Sequence, residues 1–105
     1  MQATAVSFDW DDGNLDKCRK HGLTIAEIEH VLAHSETYIV PTRKSSVYEP
    51  RFIAVGRTGG GRYAFVAFTP REKDGQKIWR PISARYMHRK EIAKYEKEIS
   101  GLEDG

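Results

Sequence analysis

This chain of 105 residues is most quickly narrowed by what it lacks. It has a single cysteine, Cys18, so an internal disulfide is excluded and a reducing compartment is expected. No apolar run approaches the roughly 20 residues a bilayer-spanning helix needs, and no basic-then-apolar signal pattern opens the sequence. A cytoplasmic protein with no membrane association is expected. Repeats and low-complexity segments are absent, which excludes solenoids and disordered tracts. The hydrophobic fraction is only 39%, so the core must be small, and one sheet covered by helices is expected. One domain over residues 1–105 is expected, with an ordered core over about 5–99.

What is present is charge, unevenly spread. Residues 1–42 hold three Lys/Arg against seven Asp/Glu, a balance of −4. Residues 43–90 hold twelve against three, a balance of +9, and residues 91–105 hold two against five, a balance of −3. A basic block between acidic flanks is the pattern of a one-sided anion-binding surface.

The local signals give an order of elements. Val6 to Trp10 alternates as a first strand, and Asp11 or Asp12 caps a helix through Lys20 that stops at Gly22. Thr24 and Glu27 form a capping box, with Leu23 and Ile28 as its hydrophobic staple, for a second helix ending near His34. Tyr38 to Val40 is a strand stopped by Pro41, and Thr42 to Pro50 is a polar loop. Phe52 to Val55 and Tyr63 to Thr69 are strands joined through Gly59-Gly60-Gly61, and the second is apolar on both faces, as a central strand is. Pro70 to Gln76 reads as a turn before a strand from Lys77 to Arg85. A last helix runs from His88 to about Ile99 on a stripe of Ile92, Tyr95 and Ile99, and Gly101 to Gly105 are expected to fray. The fold class is α+β: an antiparallel sheet of about four to five strands, two N-terminal helices and one C-terminal helix.

The segment from Arg80 to Glu91 concentrates the chemistry. A helix N-terminus carries partial positive charge, so Arg89 and Lys90 in its first turn oppose the macrodipole unless an anion offsets them. Nucleic-acid phosphate is the first candidate for that anion. Strand alternation sends Ile82 and Ala84 to the core and Ser83, Arg85 and Trp79 outward, which makes Trp79 a base-stacking candidate alongside Tyr86. Arg80 takes the core parity and a structural role, with Glu49 or Glu91 as partner.

Two ends of this sequence resemble the BrnT family of type II toxin–antitoxin toxins. The N-terminal match is Phe8-Asp9-Trp10-Asp11, then Lys20-His21-Gly22 and Leu23-Thr24. The C-terminal match is Arg80, Ile82-Ser83-Ala84-Arg85, Arg89-Lys90-Glu91 and Tyr95-Glu96, with Arg51-Phe52 and Gly56-Arg57 between. Two departures stand out: Cys18 occupies a region where members commonly carry Asn, and His88 replaces the usual Thr cap. The resemblance implies a RelE-like fold and an endoribonuclease that arrests translation without metal or other cofactor. It also implies a small ribbon-helix-helix antitoxin that neutralises the toxin in a hetero-oligomer and carries it to operator DNA.

On that reading RNA lies across the basic sheet. Arg57 and Arg85 stabilise charge on the phosphate, while His21 or His88 moves protons. Lys20, Trp79, Ser83, Tyr86, Arg89 and Lys90 complete the RNA-binding set. Each has a plainer alternative: His21 suits a helix C-terminus, His88 with Glu91 suits a helix cap, and the arginines suit solvated strand ends. His30 and His34 lie one turn apart without a third metal ligand nearby in sequence. The rival function is a module that binds nucleic acid or antitoxin within an autoregulatory complex and performs no chemistry.

Overall fold

A computed structural model describes residues 7–34, 36–42 and 45–104, with the side chains after residue 98 left aside. The order is β1 (Ser7–Phe8), α1 (Asp12–Arg19), α2 (Ile25–Ala33), β2 (Tyr38–Pro41), β3 (Phe52–Arg57), β4 (Tyr63–Lys73), β5 (Gln76–Tyr86) and α3 (Arg89–Asp104). The strands form one sheet in the order β1-β5-β4-β3-β2. From β2 to β5 it is an antiparallel meander, and β1 joins β5 in parallel. The α+β class expected from the sequence holds, and β4 is central. Among the described residues no helix is long and apolar enough to cross a membrane.

Local chemistry explains the helix starts. Asp11 accepts from the Gly13 N–H while Asn14 accepts from the Asp11 N–H, closing a capping box at α1. Thr24 and Glu27 do the same for α2, at 3.1 and 2.9 Å. Gly22, at φ +97°, supplies the left-handed residue that ends α1 and lets the chain turn into α2. The core then forms between these two helices and one sheet face. Cys18, Leu23, Ile28, Val31 and Leu32 close on Ala54, Ala64, Val66, Phe68 and Ala84.

Three expectations change. The turn drawn over Pro70 to Gln76 is only Asp74-Gly75, both at positive φ (53° and 80°), so β4 and β5 extend to meet it. Asp-Gly between two strands is a primed-turn signal, and it overrides Pro70, which sits in β4 opposite Trp79. The last helix continues to Asp104 instead of fraying from Gly101, because one internal glycine costs only ~1 kcal/mol. The paired part of β1 is shorter than expected, although the Asp9 N–H still donates to the Trp79 carbonyl at 2.9 Å. Val6 and the Ile99 side chain, named in the sequence reading, lie outside the described residues, as do Arg43 and Lys44 of the basic block.

Candidate functional site

The sheet face turned away from α1 and α2 follows from β4. Ala64, Val66 and Phe68 are buried against the helices, so Tyr63, Phe65 and Ala67 point the other way. Register carries that face to the neighbours: Ile53 on β3 and Ser83 on β5 flank Ala67, and Arg85 flanks Phe65. The register slips by one between Ala67 and Phe68, which pair with Ser83 and Pro81, so Ile82 is an extra residue in β5.

This bulge corrects two readings based on simple alternation. Trp79 does not share a face with Ser83 and Arg85; it stacks on Phe68 at 4.6 Å between ring centroids and packs against the core. Arg80 is not paired with Glu49 or Glu91. Its guanidinium bridges Asp9 at 3.2 Å and Asp11 at 2.9 and 3.0 Å, tying β5 to the start of α1. The Asp11 carboxyl is held below its usual range by that hydrogen bonding.

Helix α1 lies along β5 beyond the end of β1, fastened by a residue the sequence reading passed over. Asn14 is 3% exposed and donates to the carbonyls of Asp9 and Pro81, both at 2.8 Å. Its place at the third helical position, three after the Asp11 cap, was the signal that could have found it. With α1 fixed there, His21 reaches the rim of an open groove of about 330 Å³. Ile53, Phe65 and Ala67 line it, and Ser83, Arg85 and His21 supply its polar groups.

Arg85 is strongly positioned in this groove. Its two terminal nitrogens donate to the two Glu91 oxygens at 2.9 and 2.7 Å, and its guanidinium lies 4.6 Å from the Phe65 ring centroid. Glu91 also accepts from the His88 N–H at 2.8 Å, the reach-back bond of a helix cap. Arg85 first, and then that backbone bond, push the Glu91 carboxyl down to about 2. Glu91 is therefore a fixed anion near neutral pH, so it holds Arg85 and does not trade protons.

The remaining sequence-predicted residues lie elsewhere. Arg57 lines a separate cleft of about 1180 Å³ with His30, His34, Tyr38, Tyr63 and Tyr95. There it donates to the Tyr63 hydroxyl at 3.0 Å and lies 4.7 Å from that ring's centroid. Tyr95 of α3 contacts both Tyr63 and Tyr38 edge-on, and burial pushes its phenol up to about 12. Tyr86 is occupied: its hydroxyl donates to Glu27, and the Arg62 guanidinium sits 3.5 Å from its ring centroid. His88 is exposed at the start of α3, and Lys20, Arg89 and Lys90 are exposed outside the groove. Of the ten expected site residues, the groove unites three: His21, Ser83 and Arg85. Cys18 is fully buried, its thiol pushed up to about 11 by burial, which makes it an unreactive core group.

Residues 10–91 match the family model of the BrnT ribonuclease toxin of type II toxin–antitoxin systems. The chain belongs to the BrnT family. No curated protein matches it. The matched span begins at Trp10 and ends on Glu91, so it contains the whole groove and the carboxylate that orients Arg85. Most of α3 lies beyond it.

Proposed function

We propose that this BrnT-family chain cleaves RNA in the groove of His21, Ser83 and Arg85, by attack of a ribose 2′-hydroxyl on the adjacent phosphorus. The 2′-oxygen forms its bond to phosphorus as the bond to the 5′-oxygen breaks, leaving a cyclic phosphate and a 5′-hydroxyl end. His21 is the proton-moving group: it takes the 2′-hydroxyl proton, and a proton returned to the 5′-oxygen completes the balance. Arg85 faces the charge that develops on the non-bridging oxygens, and Ser83 offers a hydroxyl donor beside it. The observation carrying this reading is the convergence of an imidazole and a clamped guanidinium over one apolar floor. This chemistry asks for no metal and no cofactor.

Cleavage would arrest translation. A cognate antitoxin of ribbon-helix-helix type, recruiting the pair to operator DNA, would hold the activity in check in the bacterial cytoplasm. Arg57, in the second cleft, serves in this proposal as a phosphate contact away from the scissile bond, and His88 as the cap of α3.

A specific observation favours a second reading: both terminal nitrogens of Arg85 are already engaged by Glu91. A groove so satisfied would bind RNA or antitoxin without chemistry. Purified protein incubated with RNA in EDTA separates the two, since retained RNA without cut ends supports binding alone. In the same assay Arg85→Ala is expected to lose about a hundredfold in rate, the scale of a lost preorganised donor. Arg85→Lys keeps the charge but loses the two-pronged geometry and should recover little. Wild-type rates in Arg85→Ala would end the assignment.

A further inference from the structure

The groove does not end at Ser83. Alternation along β4 carries the same sheet face from Phe65 and Ala67 on to Thr69 and Arg71, and along β3 from Ile53 back to Arg51. Helix α1, packed along β5, brings Lys17 to the same region. These residues line a second depression of about 170 Å³ that includes Lys17, Arg51, Thr69, Arg71 and Ile82. The two depressions share no lining residue but lie in succession along β4, the first at Phe65 and Ala67 and the second at Thr69 and Arg71, and together they mark a furrow along this sheet face. The seven residues of β4 from Phe65 to Arg71 span ~20 Å, room for several nucleotides of an extended strand.

The far half of this furrow carries an excess of cations: Lys17, Arg51, Arg71 and Arg80 line it against the single carboxylate of Glu49. Lys17 and Arg71 are exposed and have no ion pair or hydrogen-bond partner from their side chains among the described residues. Arg51 holds only Glu49, at 3.0 Å across an exposed surface, a pairing that contributes little and yields readily. At the opposite end the situation differs. There Glu91 and Tyr95 of α3 engage Arg85 and Tyr63, so helix covers the face in the direction of Arg57.

We infer that single-stranded RNA leaves the reaction groove along this furrow, its phosphates held there by Lys17, Arg71 and Arg51 on the side of the scissile bond away from Arg57. The inference rests on the reading of the groove as an RNA-cleaving site and adds its direction and its extended binding site. It makes the enzyme sensitive to substrate length on that side, through binding and not through the chemical step.

The test is a titration of non-cleavable 2′-O-methyl RNA of ten and of three residues, of mixed sequence, against wild type and the double variant Lys17→Ala/Arg71→Ala. Decamer affinity should fall about tenfold in the variant, and the slope of log K against log salt should shrink by about 1.4, two single-strand phosphate contacts. Trimer affinity should not change. Lys94→Ala/Lys97→Ala, which removes the same charge from exposed positions of α3, should leave both alone. An unchanged decamer, or an equal loss in the α3 variant, overturns the furrow while leaving the ribonuclease reading intact. Variants that release a purified antitoxin yet bind RNA normally also overturn it, and mark the furrow as a protein-docking surface. If wild type binds neither oligonucleotide, the RNA-cleaving reading and the furrow fall together.

Discussion

The two faces of the sheet solve opposite problems with the same strands. On one, Val66, Ala64 and Ala54 are fully buried beneath Ile28, Val31 and Leu23, and the packing is apolar throughout. On the other, Phe65 and Ala67 stay half-buried, and charged side chains from α3 and β5 sit over them. The difference separates what holds the fold from what performs the chemistry. Apolar burial does not respond to protonation or to the screening of charges, whereas the outer face is organised by ion pairs that an anionic ligand can compete with. The sharpest way to break this comparison is Ile28→Ala. Truncating a fully buried aliphatic side chain should lower unfolding free energy by ~2–5 kcal/mol in urea denaturation. RNA cleavage per folded molecule should be unchanged. A variant that keeps its stability and loses activity would mean that the two faces are not separable.

Asn14 is where the faces are joined, and its loss should cost less but spread further. Asn14→Ala leaves the carbonyls of Asp9 and Pro81 without their side-chain donor and removes the reach-back bond of the α1 cap. A buried amide lost from such a site costs ~1–3 kcal/mol. Because α1 carries His21 and Lys17 to the furrow, catalysis should fall together with stability, unlike the Ile28→Ala case. Amide hydrogen exchange in α1, compared with exchange in α2, checks this directly. Equal protection in both helices would show that α1 is held by Cys18 and its apolar contacts alone.

Features that were legible in the sequence share a range. The Thr24–Glu27 capping box, the Gly22 stop and the two-sided apolar β4 are all decided within a few residues, by hydrogen bonds and periodicity that the sequence carries openly. Features that were not legible are long-range or break a period. Ile82 adds one residue to β5 and reverses the parity of Trp79 and Arg80, which no alternation rule anticipates. Arg80 finds Asp9 and Asp11 across some seventy positions, which local spacing cannot reveal. The same holds for the site. Ser83 and Arg85 downstream of the bulge keep their expected face, and His21 joins them only because Asn14 fixes α1 against Pro81. Arg57 was expected with them because it ends its strand in the basic block, yet it stacks on Tyr63 and faces the other cleft.

Glu91 gives the smallest and most selective test of the comparison, because it orders the outer face without burying anything. Its carboxyl sits at about 2, below the ordinary glutamate value, owing first to Arg85 and then to the His88 N–H. A depressed folded-state value means that the stabilisation is fully present above the unfolded-state value near 4.5. It is lost as pH falls from there through about 2. Acidification to pH 3 should therefore leave the Arg85–Glu91 clamp largely closed, and carboxyl NMR titration should find Glu91 still ionised there. A Glu91 midpoint near 4.5 would mean that Arg85 is free in solution and the groove is not preorganised. Glu91→Gln sharpens the same point at neutral pH: it should lower stability only by the exposed clamp's own modest share, since no core contact is touched, while reducing cleavage. A loss confined to kcat would assign Glu91 to positioning Arg85 for the transition state, and a loss confined to KM would assign the clamp to RNA binding instead.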